Sequence, residues 1–419
     1  MKLKRTKIKI PTCKFSVKQY IMLTMYATPF IDLLNGFIGD KFPVGKICRT
    51  MIILMNLLFC IKYTTFTSKK VACISYCIMI YMIVHVLVAD MISTTNNFTR
   101  SINFTMKLML FVSELLLIIL AIERNIINKR NIEKFWKFSC WFVPVSLLMA
   151  KVFNYSNAVF SSKAGLYASV NAMSIIFIVQ FILCIMYAEK QKKYWMAVLM
   201  NMLVLALLGT KSPYLYIVLI LVLLMLFYSK HRAKTIGVVA LCGAFAYCVL
   251  KRYFLDKMIE IYKYQSYYLL YQLQHKAIWG YLLSGRNVMV KRIWDMLVTK
   301  NLIPVTFLFG IGAGNLVSGA EMDMIEILFS YGIGVTVGIY YLVLRSFGWH
   351  CVEKNTNLFF NVAIFCLVTF GFLGGHTFTE AIAATYSAIL IGYKYSFKYE
   401  DYLRGKSDEQ NDSVYYNLQ

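Results

Sequence analysis

Runs of 17 or more predominantly apolar residues recur along almost the whole chain. At 1.5 Å per residue, roughly 20 helical residues cross the ~30 Å hydrocarbon layer, so each run reads as a membrane span. Twelve are counted, at roughly 18–38, 47–67, 71–90, 105–123, 135–153, 166–188, 194–210, 213–229, 235–250, 323–345, 357–375 and 377–395. The runs 213–229 and 235–250 are short for the task. The first run follows a basic stretch but is long enough to span, with no small-residue cleavage site after it, so it reads as a span and not a removed leader. No internal repeat is visible.

Polar stretches between the runs alternate in charge. Lys2, Lys4, Arg5, Lys7 and Lys9 precede the first run, and Lys69 and Lys70 follow the second. Arg124, Lys129, Arg130 and Lys134 follow the fourth, Lys190, Lys192 and Lys193 the sixth, and Lys230, Arg232 and Lys234 the eighth. Arg345 and Lys354 follow the tenth, and the tail carries Lys394, Lys398, Arg404 and Lys406. Every second loop is basic, which places those loops and both termini in the cytoplasm by the positive-inside rule.

One outward loop breaks the alternation. Residues 251–322 hold nine basic and four acidic residues. Loops longer than ~60 residues escape the charge rule, so the topology stands. Positions 251–274 place six tyrosines among apolar residues at helical spacing, which predicts an amphipathic helix on the outer leaflet. A second helix from Ser284 puts Val290, Ile293, Trp294 and Leu297 on one face and Asn287, Lys291 and Asp295 on the other. The expected organisation is nine spans over 1–250, an extracytoplasmic loop over 251–322, three spans over 323–395 and a cytoplasmic tail over 396–419.

Composition agrees: 59% of the 419 residues are apolar and 15% charged, against ~45–50% and ~25% in soluble domains. The fold class is therefore an all-α polytopic integral membrane protein. The net charge of +24 is spent mostly on loop orientation, so no nucleic-acid partner is expected. The eleven cysteines are scattered, eight of them in apolar runs, with no CxxC pair and no Cys–His spacing for zinc.

Several polar residues sit where the pattern does not require them. Arg286, after Ser284 and Gly285, opens a helix, and a forked cation at the positive end of a helix dipole suits a phosphate or diphosphate. An arginine reaching for lipid headgroups gives the same pattern. The turn at 310–315, GIGAGN, reads as a nest of N–H groups for an anion or as a plain tight turn; it is no Walker A loop. Lys211, in the GTKSP stretch, is a cation beside helix ends, interfacial or functional. Glu321, Asp323 and Glu326 lie where the long loop re-enters the membrane. Buried carboxylates there serve as a general base or pair with nearby arginines. Asp32, Asp90 and Glu114 are further carboxylates at or inside spans. His376 closes the eleventh span as a structural residue or a donor to a phosphate or sugar oxygen. The absence of HExxH, DxD and GxSxG motifs argues for no metal site and no serine-hydrolase elbow.

In series these stretches resemble the Wzy-type polysaccharide polymerases and related O-antigen ligases. The matching stretches are TPFIDLLNGFIGDKFPVGKICR in the first two spans, GLYASVNAMSIIF at 165–177, GTKS at 209–212, and SGR at 284–286 followed by Trp294 and GIGAGN. EMDMIEILFSYGIGVTVG at 321–338 and GGHTF at 374–378 complete the series. The resemblance implies a GT-C-like helical membrane fold in a bacterial plasma membrane. It implies metal-independent glycosyl transfer without a cofactor, in which a glycan on undecaprenyl diphosphate passes to a new lipid-linked repeat unit at the outer leaflet. Carried over by position, Arg286 and Lys211 hold the diphosphate, Arg292 is a weaker candidate, and His376 matches the last motif loosely. Ligase relatives often carry His-Asn where this chain has Glu321-Met322, so no catalytic histidine is carried over there, and Asp323 or Glu321 takes the base role. Implied partners are the lipid-linked oligosaccharide, membrane lipid and a chain-length regulator. A ligase of the same family, and a flippase or transporter of lipid-linked oligosaccharide, are the alternative readings.

Overall fold

A computed structural model describes residues 16–38, 43–64, 69–92, 97–152, 158–159, 162–163, 167, 169–208, 211–228, 286–316, 319–347 and 354–416. These residues form helices α1 (Val17–Ile38), α2 (Val44–Tyr63), α3 (Lys69–Ile92), α4 (Phe98–Glu123), α5 (Lys129–Val152), α6 (Val170–Lys190), α7 (Tyr194–Leu207) and α8 (Lys211–Tyr228). Beyond the long loop follow α9 (Arg286–Thr299), α10 (Ile303–Leu308), α11 (Asp323–Leu344), α12 (Lys354–Leu373) and α13 (Ala381–Tyr416). A two-residue antiparallel ladder between α5 and α6, Ala158–Val159 against Ser162–Lys163, is the sole strand pairing among the described residues.

Among the described residues seven helices, α1, α2, α3, α4, α6, α11 and α12, are long and apolar enough to cross a membrane, and apart from the short ladder these residues make a helical multi-pass membrane protein. The expected runs 135–153, 194–210, 213–229 and 377–395 are helical as well, as α5, α7, α8 and α13. The run 235–250 and the amphipathic segment 251–274 lie outside the described residues, as do Ser284, Gly285, Gly209 and Thr210.

Helices α4 and α6 form the centre, with 89% and 83% of their apolar windows buried. A helix apolar on all sides has no preferred solvent face and goes to the middle of a bundle. Around α4 pack α2, α3 and α13; around α6 pack α5, α7, α8, α12 and α13. The outer helices turn large apolar residues away from the protein, among them Leu54, Leu58 and Ile61 on α2 and Ile80 and Val84 on α3. Acyl chains satisfy such a surface; water would not. Asn97 and Ser169 cap α4 and α6, accepting from the Arg100 and Ala172 amides at 3.1 and 3.3 Å.

Helix α11 is broken. Gly332 has φ 77° and ψ −179°, which ends one helical run and starts another inside the same element. The carbonyls freed by the break do not go unpaired: Phe329 O and Ser330 O accept from the Ile311 and Gly312 amides, both at 3.0 Å. A short second core, with Ile293, Leu297, Leu316, Ala320 and Phe329 buried together, fixes α9 and α10 to the first half of α11. Ile293 and Leu297 thus use the expected inner face of α9, whereas Trp294 is 41% exposed and packs edge-on to Phe307.

Candidate functional site

Arg286 is the first residue of α9, so its guanidinium stands at a helix N-terminus. The residue is 6% exposed, and its Nη2 lies 3.7 Å from Oε2 of Glu321. Burial lowers the guanidinium's pKa from its ordinary value, and the carboxylates of Glu321 and Asp323 offset part of that shift. The Glu321 side chain is 42% exposed and its backbone takes φ 51°, a left-handed conformation at a non-glycine residue.

Two residues on, Asp323 begins α11 and is fully buried. Its Oδ1 accepts from the His376 amide at 2.7 Å and the Thr379 hydroxyl at 2.5 Å. Oδ2 accepts from the amides of Thr377 and Phe378 at 2.6 and 2.8 Å. Four donors saturate this carboxylate, and its partners are the 376–379 turn. The turn is held equally close by its backbone: Gly375 has φ 67°, and a Cβ there would stand 2.0 Å from Glu321 O. His376 also has positive φ, at 64°. It is half-buried and in electrostatic reach of Asp323, Glu326 and Glu380.

The glycine turn is not an anion nest. Five of its six amides are already engaged, which leaves no run of neighbouring N–H groups to cradle an anion: Gly310 to Thr306 O at 2.9 Å, Ile311 and Gly312 to the α11 break, Gly314 to Ser101 Oγ at 2.9 Å and Asn315 to Gly312 O at 3.1 Å. Gly310 and Gly332 are both at positive φ because the two backbones touch. A Cβ on Gly310 would lie 2.3 Å from Ser330 O, and one on Gly332 2.4 Å from Leu308 O. The tight-turn reading of this stretch therefore holds, with a definite job: it closes the break in α11.

Arg49, Arg100, Lys107 and Glu380, which the motifs did not single out, line the same end of the bundle together with the expected carboxylates Asp32, Glu114 and Glu326. Arg100 Nη1 donates to Leu316 O at 2.9 Å. Lys107 pairs with Glu380 at 2.8 Å, and Arg49 with Asp32 at 2.6 Å. A Cβ on Gly319 would lie 3.3 Å from Glu326 Oε1 and 3.6 Å from Arg100 Nη2, so these two side chains converge there. Deeper, Glu114 is hydrogen-bonded by Thr385, and its Oε2 is buried without a hydrogen-bond partner among the described residues. Arg100, Lys107 and Glu114 stand seven residues apart in succession, one stripe of α4 facing the interior. That spacing from Glu114 was the available signal for Arg100 and Lys107, masked by the apolar mean of the span.

The remaining expected site residues are less central. Arg292 is exposed, six residues along α9 from the buried Arg286. Lys211 is the first residue of α8, but its side chain lies outside the described residues. The start of α8 reaches the right end of the bundle: Tyr216 Oη donates to Thr369 Oγ1 at 3.0 Å and packs on Phe370, just before the 374–379 turn. No family model, no curated protein and no solved structure matches the chain.

Proposed function

We propose that this protein polymerises undecaprenyl-diphosphate-linked oligosaccharide repeat units into a capsular or extracellular polysaccharide at the outer leaflet of a bacterial plasma membrane. The observation that supports the reading is convergence. Stretches at 286, 321–323 and 375–379, far apart in sequence, meet through the Arg286–Glu321 pair and the Asp323 cluster. In this reading eleven helices of the bundle and the run 235–250 make twelve spans of GT-C-like architecture, with both termini cytoplasmic.

The reaction joins an acceptor hydroxyl oxygen to the anomeric carbon of the donor glycan. The bond from that carbon to the diphosphate breaks, the diphosphate keeps the electron pair, and the hydroxyl proton passes to a carboxylate. Charge builds on the departing diphosphate, so catalysis needs fixed cations there. Arg286 offers a guanidinium held by burial and the N-terminus of α9, with two parallel hydrogen bonds to give. Lys211 supplies a second cation from the start of α8, and Arg292 an outlying one. Glu321 is the proton acceptor: it is accessible, and a diphosphate drawing Arg286 away would release it. Asp323 positions the turn that carries His376 instead of reacting, because both its oxygens are taken.

A second reading, a flippase or transporter of lipid-linked oligosaccharide, draws on the half-buried pairs Arg49–Asp32 and Lys107–Glu380 and on the buried Glu114. Intramembrane ionisable groups often mark a transport path. The lipid-linked glycan profile of a deletion strain complemented with wild type, Arg286→Ala or Arg286→Lys separates the two. Polymerisation predicts single repeat units at the outer leaflet and no long polymer with Arg286→Ala, and partial polymer with Arg286→Lys. Full-length polymer in both variants removes the diphosphate role of Arg286. Units trapped on the inner leaflet of the deletion strain make the protein a transporter.

A further inference from the structure

A groove of about 590 Å³ lies between α3 and the α9–α10 pair, and glycosyl transfer as read above makes no use of it. Its size falls in the ~300–1,000 Å³ range of small-molecule sites. The walls are mainly apolar, with Val84, Val88, Met296, Val305 and Phe309 among them. Val84, Val88, Val305 and Phe309 are between 45% and 58% exposed. On a membrane protein a face of this kind meets acyl chains, so the groove opens to the bilayer.

Its floor is built in advance. Tyr81 Oη donates to Phe309 O at 2.7 Å, His85 Nε2 sits 3.3 Å from Gly310 O, and the Gly310 backbone abuts the α11 break. Among the described residues that line it, Lys300 alone carries a fixed charge. It is exposed and has no ion pair among the described residues.

We infer that this groove holds one acyl chain of a bilayer glycerophospholipid, with the lipid's phosphodiester on Lys300. Apolar walls leave the hydroxyls of a sugar or the backbone of a peptide without partners. A hydrocarbon chain has nothing to satisfy. One lysine is a compact point charge, matched to the single charge of a phosphodiester. The lipid-linked substrate is a poorer occupant. Arg286 opens α9 and Lys300 directly follows its last residue, fourteen positions on, about 20 Å at 1.5 Å per residue. A diphosphate held by Arg286 therefore lies at the far end of the helix from this groove. The resident chain packs Phe309 against α3 and so braces the junction where the glycine turn closes α11. The exclusion of the carrier lipid rests on the glycosyl-transfer reading; the apolar walls and the Lys300 charge do not.

The test uses the full-length protein in nanodiscs of phosphatidylethanolamine and phosphatidylglycerol, with a trace of phosphatidylglycerol bearing a photoactivatable diazirine in its acyl chain. After irradiation, labelled peptides are mapped by mass spectrometry. Label should concentrate on residues 84–89 and 302–311, several-fold above the lipid-facing side of α2. Val84→Trp or Val88→Trp, which fill the groove, should lower that label several-fold and leave α2 unchanged; the unchanged α2 shows that the fold persists. Lys300→Ala should lower it for phosphatidylglycerol in the same way. Equal label over α2 and α3 means ordinary surrounding lipid and overturns the inference. Displacement by undecaprenyl phosphate at concentrations that spare α2 makes the occupant the carrier lipid and overturns it as well.

Discussion

Two carboxylates two residues apart take opposite roles because their surroundings differ. Asp323 meets three backbone amides and a hydroxyl in a fully buried site, whereas the Glu321 side chain is 42% exposed and pairs with the Arg286 guanidinium at 3.7 Å. Replacing Asp323 with Asn sets an amide donor against backbone donors. A buried N–H left without an acceptor costs about 1–3 kcal/mol, so the loss should reach roughly 2–4 kcal/mol. Thermal unfolding of the detergent-purified variant should show a clear fall in melting temperature together with lost polymer. An unshifted melt with lost polymer would instead give Asp323 a chemical role. Glu321→Gln is expected to do the reverse: polymerisation lost, melting temperature within about 1 °C of wild type, since exposed substitutions rarely exceed ±0.5 kcal/mol. Normal polymer from Glu321→Gln would remove it as the proton acceptor.

Helix α11 owes its shape to glycines that are not equivalent. Gly332 stands at φ 77° with Leu308 O 2.4 Å from where a Cβ would be, whereas Gly334 has nothing within 4 Å. Gly332→Ala therefore meets a left-handed backbone and a collision together, and should cost more than about 3 kcal/mol. Gly334→Ala, in ordinary helical geometry, should be neutral or stabilise by about 0.5–1 kcal/mol. Denaturation of the two variants in mixed micelles tests the break directly; equal effects would mean that the glycine turn does not close it. Gly310→Ala should match Gly332→Ala, because its Cβ would meet Ser330 and Tyr331 backbone atoms from the other side.

At the scale of the whole molecule, the ends of α1, α4, α11 and α12 that carry the charged cluster should face outward, and the loops with Arg124–Lys134 and Lys190–Lys193 inward. Reporter fusions check this: alkaline phosphatase active after residue 315 and silent after residue 191, with green fluorescence in the opposite pattern. Phosphatase activity after residue 191 would invert the bundle and place Arg286 in the cytoplasm, away from any outer-leaflet reaction. Stability of the bundle follows the same logic of burial. α4, hydrophobic all round, sits at the centre, and its one charged stripe at 100, 107 and 114 is tolerated because Glu380, Thr385 and the Leu316 carbonyl answer it.

By itself the chain determined that it is a helical membrane protein and, within the described residues, roughly where most of its helices run, because the hydrocarbon layer demands long apolar stretches whatever their neighbours. It also marked Arg286, Glu321, Asp323 and His376 as polar residues out of place. Only the tertiary structure decided what each does. The four donors on Asp323 come from a turn more than fifty residues away. Two amides of the glycine turn, those of Ile311 and Gly312, close a helix break invisible in an unbroken apolar run. Which of two arginines on α9 is buried depends on where the helix meets α11. Partner choice is a matter of distance between residues remote in sequence, and a pattern read along one chain carries no such distances.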